Sequence, residues 1–238
     1  MKPSIEFLMS KDRQSILSSD QIMFFMDEGY LLVSDLIPRA IAEKADAAAW
    51  RVNGIDPKDP STWKNAPQNE FFDEPDLVAC YTQDLLIAAA QLASPDPWGF
   101  PIARPPANAF VIKLLPQPGP WKVVGEHLDG SGWNPPTHLY PRLWRVFAMA
   151  YLHDIEPHGG GTVVFPRSHR KFEALARSQP EKYKFIAQLQ DDMKKVDLGE
   201  PVEVQPKAGD VLFIDSMAVH CKPMNTGSRP RFALNLKW

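Results

Sequence analysis

The sequence predicts a mainly β chain with flanking helices, and three observations carry the prediction. Helix signals crowd into the first hundred residues, strand signals dominate from about Asn108, and one charged helical stretch interrupts the strands at about residues 169–194. At 238 residues the chain is long for one β domain yet within the usual range, and it can bury a sizeable core. The expectation is a single domain over residues 1–238, with 1–105 as a mostly helical N-terminal cover and 106–238 as the β core.

The first element opens at Ser18-Ser19-Asp20-Gln21, where Ser18 and Gln21 stand at capping-box spacing. That helix should run through about Asp27 and stop at Gly29, and Tyr30-Leu31-Leu32-Val33 follows as a strand. Ile37 to Trp50, rich in alanine with apolar positions at helical spacing, reads as a second helix. Residues 53–69, full of Pro, Asp and Lys, read as an exposed excursion, and Asp76 to Ala93 as a helix started by Pro75. None of these helices carries evident chemistry. Their apolar stripes are expected to cover one face of a sheet.

The core strands begin with Ala109-Phe110-Val111-Ile112-Lys113-Leu114-Leu115. An unpaired buried ammonium is costly, so Lys113 either faces water or meets an anion. A Pro-Gly-rich turn at 116–120 should lead into a strand that delivers His127. The long loop 130–141 comes next; its Trp133 and Tyr140 are candidates for a substrate wall, or else anchors of the loop. Leu143 to Leu152 is the strongest strand signal. Alternation there sets Arg145, Phe147, Met149 and Tyr151 on one face and Trp144, Val146, Ala148 and Ala150 on the other. If the first face lines the interior, Arg145 can meet an acidic substrate; otherwise it is solvated. His153 and His158 read as surface turn residues. After the helical insert, Pro201 to Gln205 is a short strand, and a turn at Gly209 opens a strand that ends in His220. A polar turn, Asn225-Thr226-Gly227-Ser228, then hands over to a returning strand, Arg229 to Leu236.

Chemistry concentrates in His127-Leu128-Asp129 and His220. Alternate residues of an extended segment point to one side, so His127 and Asp129 can reach a single ion, and a distant histidine can complete the set. Two imidazoles and one carboxylate on one side of a divalent metal leave the remaining positions open, the ligand pattern of non-haem iron oxygenases. The same set also suits zinc. Arg229 and Arg231 at the start of the hairpin partner add a planar fork suited to a carboxylate, and strand alternation gives both the same facing. His138, in the loop, is not needed as a ligand.

In this order these residues resemble the phytanoyl-CoA dioxygenase family. The likeness is carried by His127-Leu128-Asp129, by Gly159-Gly160-Gly161-Thr162-Val163-Val164-Phe165-Pro166-Arg167-Ser168-His169, by the Gly209-Asp210-Val211-Leu212 approach to His220, and by Arg231, eleven residues after that histidine. It spans about Ser18 to the last residue. One departure is Arg167, where the family commonly has glycine. The resemblance implies a double-stranded β-helix core, a jelly roll of cupin-like form, with the helical insert covering one mouth of the barrel. It implies iron(II) on His127, Asp129 and His220, and 2-oxoglutarate with Arg231 on its distal carboxylate. Thr162 and Lys113 would be further co-substrate contacts, and O2 the other co-substrate. The implied reaction oxidises, most often hydroxylates, a C–H bond of a small organic substrate and releases succinate and CO2. Desaturation or ring chemistry on the same fold is the alternative outcome, and a zinc-binding or non-catalytic jelly roll the alternative class. A halogenase needs the position that the Asp129 carboxylate fills, and the downstream arginine has no use in a zinc hydrolase.

Composition narrows the partners. A net charge of −3 and a pI near 6.1 leave no basic footprint for nucleic acid. Cys80 and Cys221, far apart and without metal or redox spacing, read as free thiols of a reducing compartment. Met1-Lys2-Pro3-Ser4-Ile5-Glu6 lacks the long apolar core of a leader, and no stretch is apolar enough to span a bilayer. The expectation is a cytoplasmic protein acting on a small molecule away from membranes, with its oligomeric state open.

Overall fold

The structure is a computed structural model that describes residues 15–66, 69–94 and 104–238. The reading of residues 1–6 therefore lies outside the described residues, as do positions 67–68 of the predicted excursion.

Helix α1 (Ser19–Glu28) forms as its cap dictates: Gln21 donates its N–H to the Ser18 hydroxyl, Ser18 donates its N–H to the Gln21 side chain, and Gly29 closes the helix at φ 82°. Strand β1 (Tyr30–Val33) and helix α2 (Arg39–Val52) follow. The excursion after α2 is less loose than its composition suggests. It holds a 3₁₀ turn at Pro60–Asn65 that buries Trp63, whose indole donates to the Asp56 carbonyl at 2.8 Å. Strand β2 is Glu70–Phe72. The single helix expected over 76–93 is two, α3 (Pro75–Val78) and α4 (Gln83–Ala93). Thr82 restarts the second by accepting the Leu85 N–H, and Cys80 and Tyr81 turn into the core between them.

The β core has two sheets. Strands β3 (Ala109–Leu114), β4 (Val146–Tyr151), β7 (Val211–Asp215) and β9 (Arg231–Lys237) join β1 and β2 in a six-stranded sheet of order β1-β7-β4-β9-β3-β2. Strands β5 (Val163–Val164), β6 (Val202–Glu203) and β8 (His220–Cys221) make a smaller sheet of order β6-β5-β8. All pairings in both sheets are antiparallel. The large sheet is buried on both faces, so its strands read as continuous apolar runs. One face, with Val111, Ala148, Phe213, Phe232 and Leu234, packs on α2 and α4. The other, with Phe147, Met149, Tyr151, Leu212 and Ala233, faces Val164 beside the small sheet. The alternation predicted along β4 thus holds from Val146 to Tyr151, and the face with Phe147, Met149 and Tyr151 is the interior one.

Three expectations change here. The segment after the 116–120 turn forms no strand; His127 makes only one antiparallel bridge, to His220, with reciprocal N–H to O distances of 3.0 and 3.2 Å. Second, β4 begins at Val146, so Arg145 precedes the regular alternation, and Trp144 joins the interior cluster instead of the outer face. Third, the helical insert, α5 (Ser168–Ser178) and α6 (Ile186–Asp191), backs the small sheet by packing Phe172, Ile186 and Leu189 against Val163, Val219 and Cys221. It was expected to cover a mouth of the barrel. Its apolar stripe instead matches the outward face of β5 and β8.

Candidate metal centre

His127, Asp129 and His220 come together: one ligating atom from each lies within 4.8 Å of the others, and the two imidazole centroids are 4.4 Å apart. Among the described residues this is the only such group. The bridge between the 127 segment and β8 produces the proximity, because it sets the two histidines side by side on one surface. Each ring is held by its Nδ1, which faces a carbonyl two residues earlier: Gly125 at 2.8 Å for His127 and Ala218 at 3.1 Å for His220. A carbonyl only accepts, so each Nδ1 carries the proton and each Nε2 keeps its lone pair for a metal. The ligand loop is clamped from α6, where Gln190 accepts the Leu128 N–H at 2.8 Å and donates to the Glu126 carbonyl at 3.1 Å.

The electrostatics suit a cation. Burial pushes the Asp129 carboxyl up, but His220, Lys237 and His127 outweigh burial and hold it below the usual range. The carboxylate is therefore charged. Burial also draws His220 down to about 4, against the attraction of Asp129, which leaves a neutral imidazole as a metal ligand must be.

Arg231 enters the same interior from the first residue of β9 and is wholly buried. Its Nε donates to the Gly160 carbonyl at 3.0 Å and its Nη1 to the Ile112 carbonyl at 3.4 Å, while Nη2 finds no partner. A buried guanidinium without a counter-charge is costly by several kcal/mol, so this is a place built to receive an anion. Nearby, Tyr151 donates its hydroxyl to Thr162 Oγ1 at 2.8 Å, and Thr162 is itself buried. Gly161 brings that threonine close to the neighbouring chain: a Cβ there would sit 2.0 Å from the Val204 carbonyl oxygen.

The other sequence candidates separate. Trp133 lies beside the centre, its ring 5.2 Å from Trp144 and 4.7 Å from the Lys237 ammonium, and it is half exposed. Tyr140 and Arg145 are exposed and line a different cavity, of about 850 Å3, that holds none of the three candidate ligands. Lys113 is adjacent to Phe232 in the register, and Phe232 faces the helical layer; Arg231 is paired with Leu114 on the opposite face. One residue of alternation thus turns Lys113 away from the arginine pocket. Arg229 does not share the facing of Arg231, because β9 starts only after Pro230. Instead it pairs with both Asp46 oxygens on α2, at 2.7 and 2.9 Å, and lies over the Trp50 ring. His138 stays outside the ligand group and bridges to Phe185. His153, expected at the surface, is buried and faces the Pro230 carbonyl at 3.1 Å, while His158 is exposed as expected.

Lys237, Gln190, Asn235 and Tyr151 belong to this site without having been singled out for it. Lys237 and Asn235 continue the parity of Arg231 along β9, a signal that strand alternation carries. Gln190 has no comparable signature, since a helical insert reveals nothing of what it leans on.

A profile of the phytanoyl-CoA dioxygenase (PhyH) family matches residues 25–233. The chain belongs to the phytanoyl-CoA dioxygenase family. By class it is a 2-oxoglutarate-dependent oxygenase, and iron(II), 2-oxoglutarate and O2 are the cofactors of that class. No curated protein sequence matches it. Solved structures show the fold. SnoK, a non-haem α-ketoglutarate-dependent carbocyclase from nogalamycin biosynthesis, superposes with a TM-score of 0.54 at 18% identity, covering 93% of this chain and 84% of SnoK. HygX from Streptomyces hygroscopicus with nickel and 2-oxoglutarate bound gives 0.54 at 16% identity, over 92% of this chain and 85% of HygX. EctD from S. alaskensis with bound Fe gives 0.55 at 19%, over 94% of this chain and 77% of EctD. The double-stranded β-helix core expected from the sequence is the fold observed. Among the described residues no helix is long and apolar enough to cross a membrane.

Proposed function

We propose that this protein hydroxylates a C–H bond of a small organic substrate, using iron(II) on His127, Asp129 and His220 and 2-oxoglutarate anchored by Arg231. The single observation that carries the reading is the buried Arg231 fork, with Nη2 unpaired, in the same barrel interior as a group of two imidazoles and one carboxylate. A zinc hydrolase has no use for that fork, and a halogenase would have to place a halide where Asp129 stands.

Bound together, iron(II), 2-oxoglutarate and O2 supply an oxidative decarboxylation, with release of succinate and CO2, that oxidises a nearby C–H bond. The chain's residues position and exclude. Gly125 and Ala218 orient the imidazoles through Nδ1, so both Nε2 atoms face one point. Arg231 receives the distal carboxylate with its unpaired Nη2, and Thr162, whose oxygen already accepts from Tyr151, has its own hydroxyl hydrogen to give to the same anion. Phe147, 4.8 Å from the His220 ring, keeps water from the inner side of the ligands. The substrate approaches from the Trp133 side, where that ring is half exposed. Trp133 belongs to that approach. Tyr140, Arg145 and Lys113 lie off it.

Anaerobic titration of the protein with iron(II) and 2-oxoglutarate tests the reading through the weak visible charge-transfer band of the chelate. The band should form in the intact protein and vanish when Arg231 and His220 are both replaced by Ala. A protein without the band, or a double variant that keeps it, would end the proposal.

A further inference from the structure

A cavity of about 410 Å3 opens where β2, β3 and β9 meet the loop after Asp129; none of the three candidate ligands lines it, and Lys237 is its link to them. Its walls are rings: Phe71, Tyr81, Phe110, Trp133 and Trp238. The charged residues that line it are Arg104 and Lys237, and no carboxylate does so among the described residues. Two of the rings are left in water at a cost the fold does not need, Phe71 at 65% and Trp133 at 49% exposure, although each has an aromatic neighbour, Phe110 at 4.7 Å and Trp144 at 5.2 Å. Lys237 ties the cavity to the metal centre, because its ammonium stands 3.0 Å from Asp129 Oδ2 and also lies over the Trp133 and Trp144 rings.

We propose that this cavity receives the substrate, and that the substrate is a planar, ring-containing anion of roughly two fused rings, a size within the range of small-molecule sites. The proposal rests on the oxygenase reading above and names the substrate class of the same centre. Flat aromatic walls are matched by a flat ligand that stacks on them and has few rotors to freeze. Lys237 is paired with Asp129 through one contact and adds positive potential, while Arg104 supplies the fork for a carboxylate or a sulfonate. A zwitterionic amino acid would bring an ammonium into a cavity whose described lining holds two cations and no carboxylate. A neutral ring would gain nothing from Arg104, and a flexible acyl chain would lose its rotors against walls it cannot stack on.

Calorimetric titration of the full chain, loaded anaerobically with iron(II) and 2-oxoglutarate, tests this with 2-naphthoate, naphthalene-2-sulfonate, neutral 2-naphthamide and octanoate. Both ring anions should bind at least about tenfold tighter than either control, and saturating 2-naphthoate should shift the chelate band. Arg104→Gln should erase the preference over 2-naphthamide, and Phe110→Ala should weaken all three ring probes while sparing octanoate. Equal binding of 2-naphthoate and octanoate, a preference that survives in Arg104→Gln, or a band unmoved at saturation would overturn the substrate class. The band of the unliganded sample separates the two failures: if it forms and the ring anions show no preference, the substrate class falls and the oxygenase reading stands; if it never forms, both fall.

Discussion

The Lys237 ammonium stands 3.0 Å from Asp129 Oδ2, while Asp129 Oδ1 faces His127. One oxygen of the carboxylate is thereby reserved for the lysine and the other is left toward the metal position. The pair is partly buried, and the lysine is confined further by two tryptophan rings at 4.5 and 4.7 Å. Outer partners of this kind fix the orientation of a ligand and typically contribute 10–100-fold in metal affinity. Lys237→Met should weaken cobalt(II) or iron(II) binding by about that factor, with Lys237→Arg recovering part of it. A calorimetric metal titration of the three proteins measures this, and unchanged affinity in Lys237→Met would show that the lysine does not position the ligand.

Arg231 and Arg229 make a second comparison, since two residues apart they do different work. Arg231→Met should leave metal binding intact and lower 2-oxoglutarate affinity by at least about 30-fold, the 2 kcal/mol or more expected when one partner of a buried charge pair is removed. Arg229→Met should leave 2-oxoglutarate affinity unchanged and lower stability, because it leaves Asp46 on α2 unpaired. Burial already raises the Asp46 carboxyl against the attraction of Arg229, so losing the arginine raises it further. Titration of each variant with 2-oxoglutarate, alongside a thermal melt, separates the two roles.

His153 predicts a pH dependence. Burial, then Arg229 and Arg231, hold its imidazole down at about 3, against an ordinary value near 6.5. In the window between those values the unfolded chain binds a proton that the folded one refuses. Stability is therefore complete above about 6.5 and falls as the pH drops toward 3, by up to about 1.4 kcal/mol per pH unit for this one group. His153→Gln, which can still donate to the Pro230 carbonyl, should flatten that slope between pH 6.5 and 4.5. Urea midpoints of both proteins across the window provide the check, and parallel slopes would rule the histidine out as a source.

Arg167 explains how the chain tolerates its departure from the glycine common at that turn. The residue sits in the left-handed region at φ 63°, which costs a side chain about 1–2 kcal/mol. In return its guanidinium reaches Glu28 at 2.6 Å and Asp27 at 3.2 Å and ties α5 to α1. Arg167→Gly gives up the ties and relieves the backbone, so it should be near neutral. Arg167→Ala gives up the ties alone and should be less stable than the glycine variant by about 1 kcal/mol, as differential scanning calorimetry would read.

How much of this site was legible follows from how each residue is placed. The three metal-ligand candidates could be grouped because His127 and Asp129 share one facing over a short span. The Phe147 face of β4 could be read because alternation is rigid inside a strand. Reading failed where an element began later than its composition implied. Leu143, Trp144 and Arg145 ahead of Val146, and Arg229 and Pro230 ahead of Arg231, run straight into strand sequence yet lie outside the strands, so the facings of Arg145 and Arg229 came out wrong. The helical insert was legible as helices but not in its packing, since an apolar stripe does not name its partner. His153 was invisible for the same reason: a turn histidine is buried here only because the 229–230 turn folds over it.

Strand β9, which carries Arg231, Asn235 and Lys237, follows the other described strands in sequence, yet it lies between β3 and β4 in the middle of the large sheet. A ribosome making this protein must finish every other strand before residues 231–237 emerge to join them. Until then β3 and β4 have no common neighbour, and the guanidinium, the amide and the ammonium of β9 are all missing from the barrel. A nascent chain stalled before Arg231 could gather its histidines and aspartate, but it would lack the buried guanidinium proposed to hold 2-oxoglutarate. Assembly of the catalytic interior is therefore a late event, coupled to sequence-distant pairing of the slow kind.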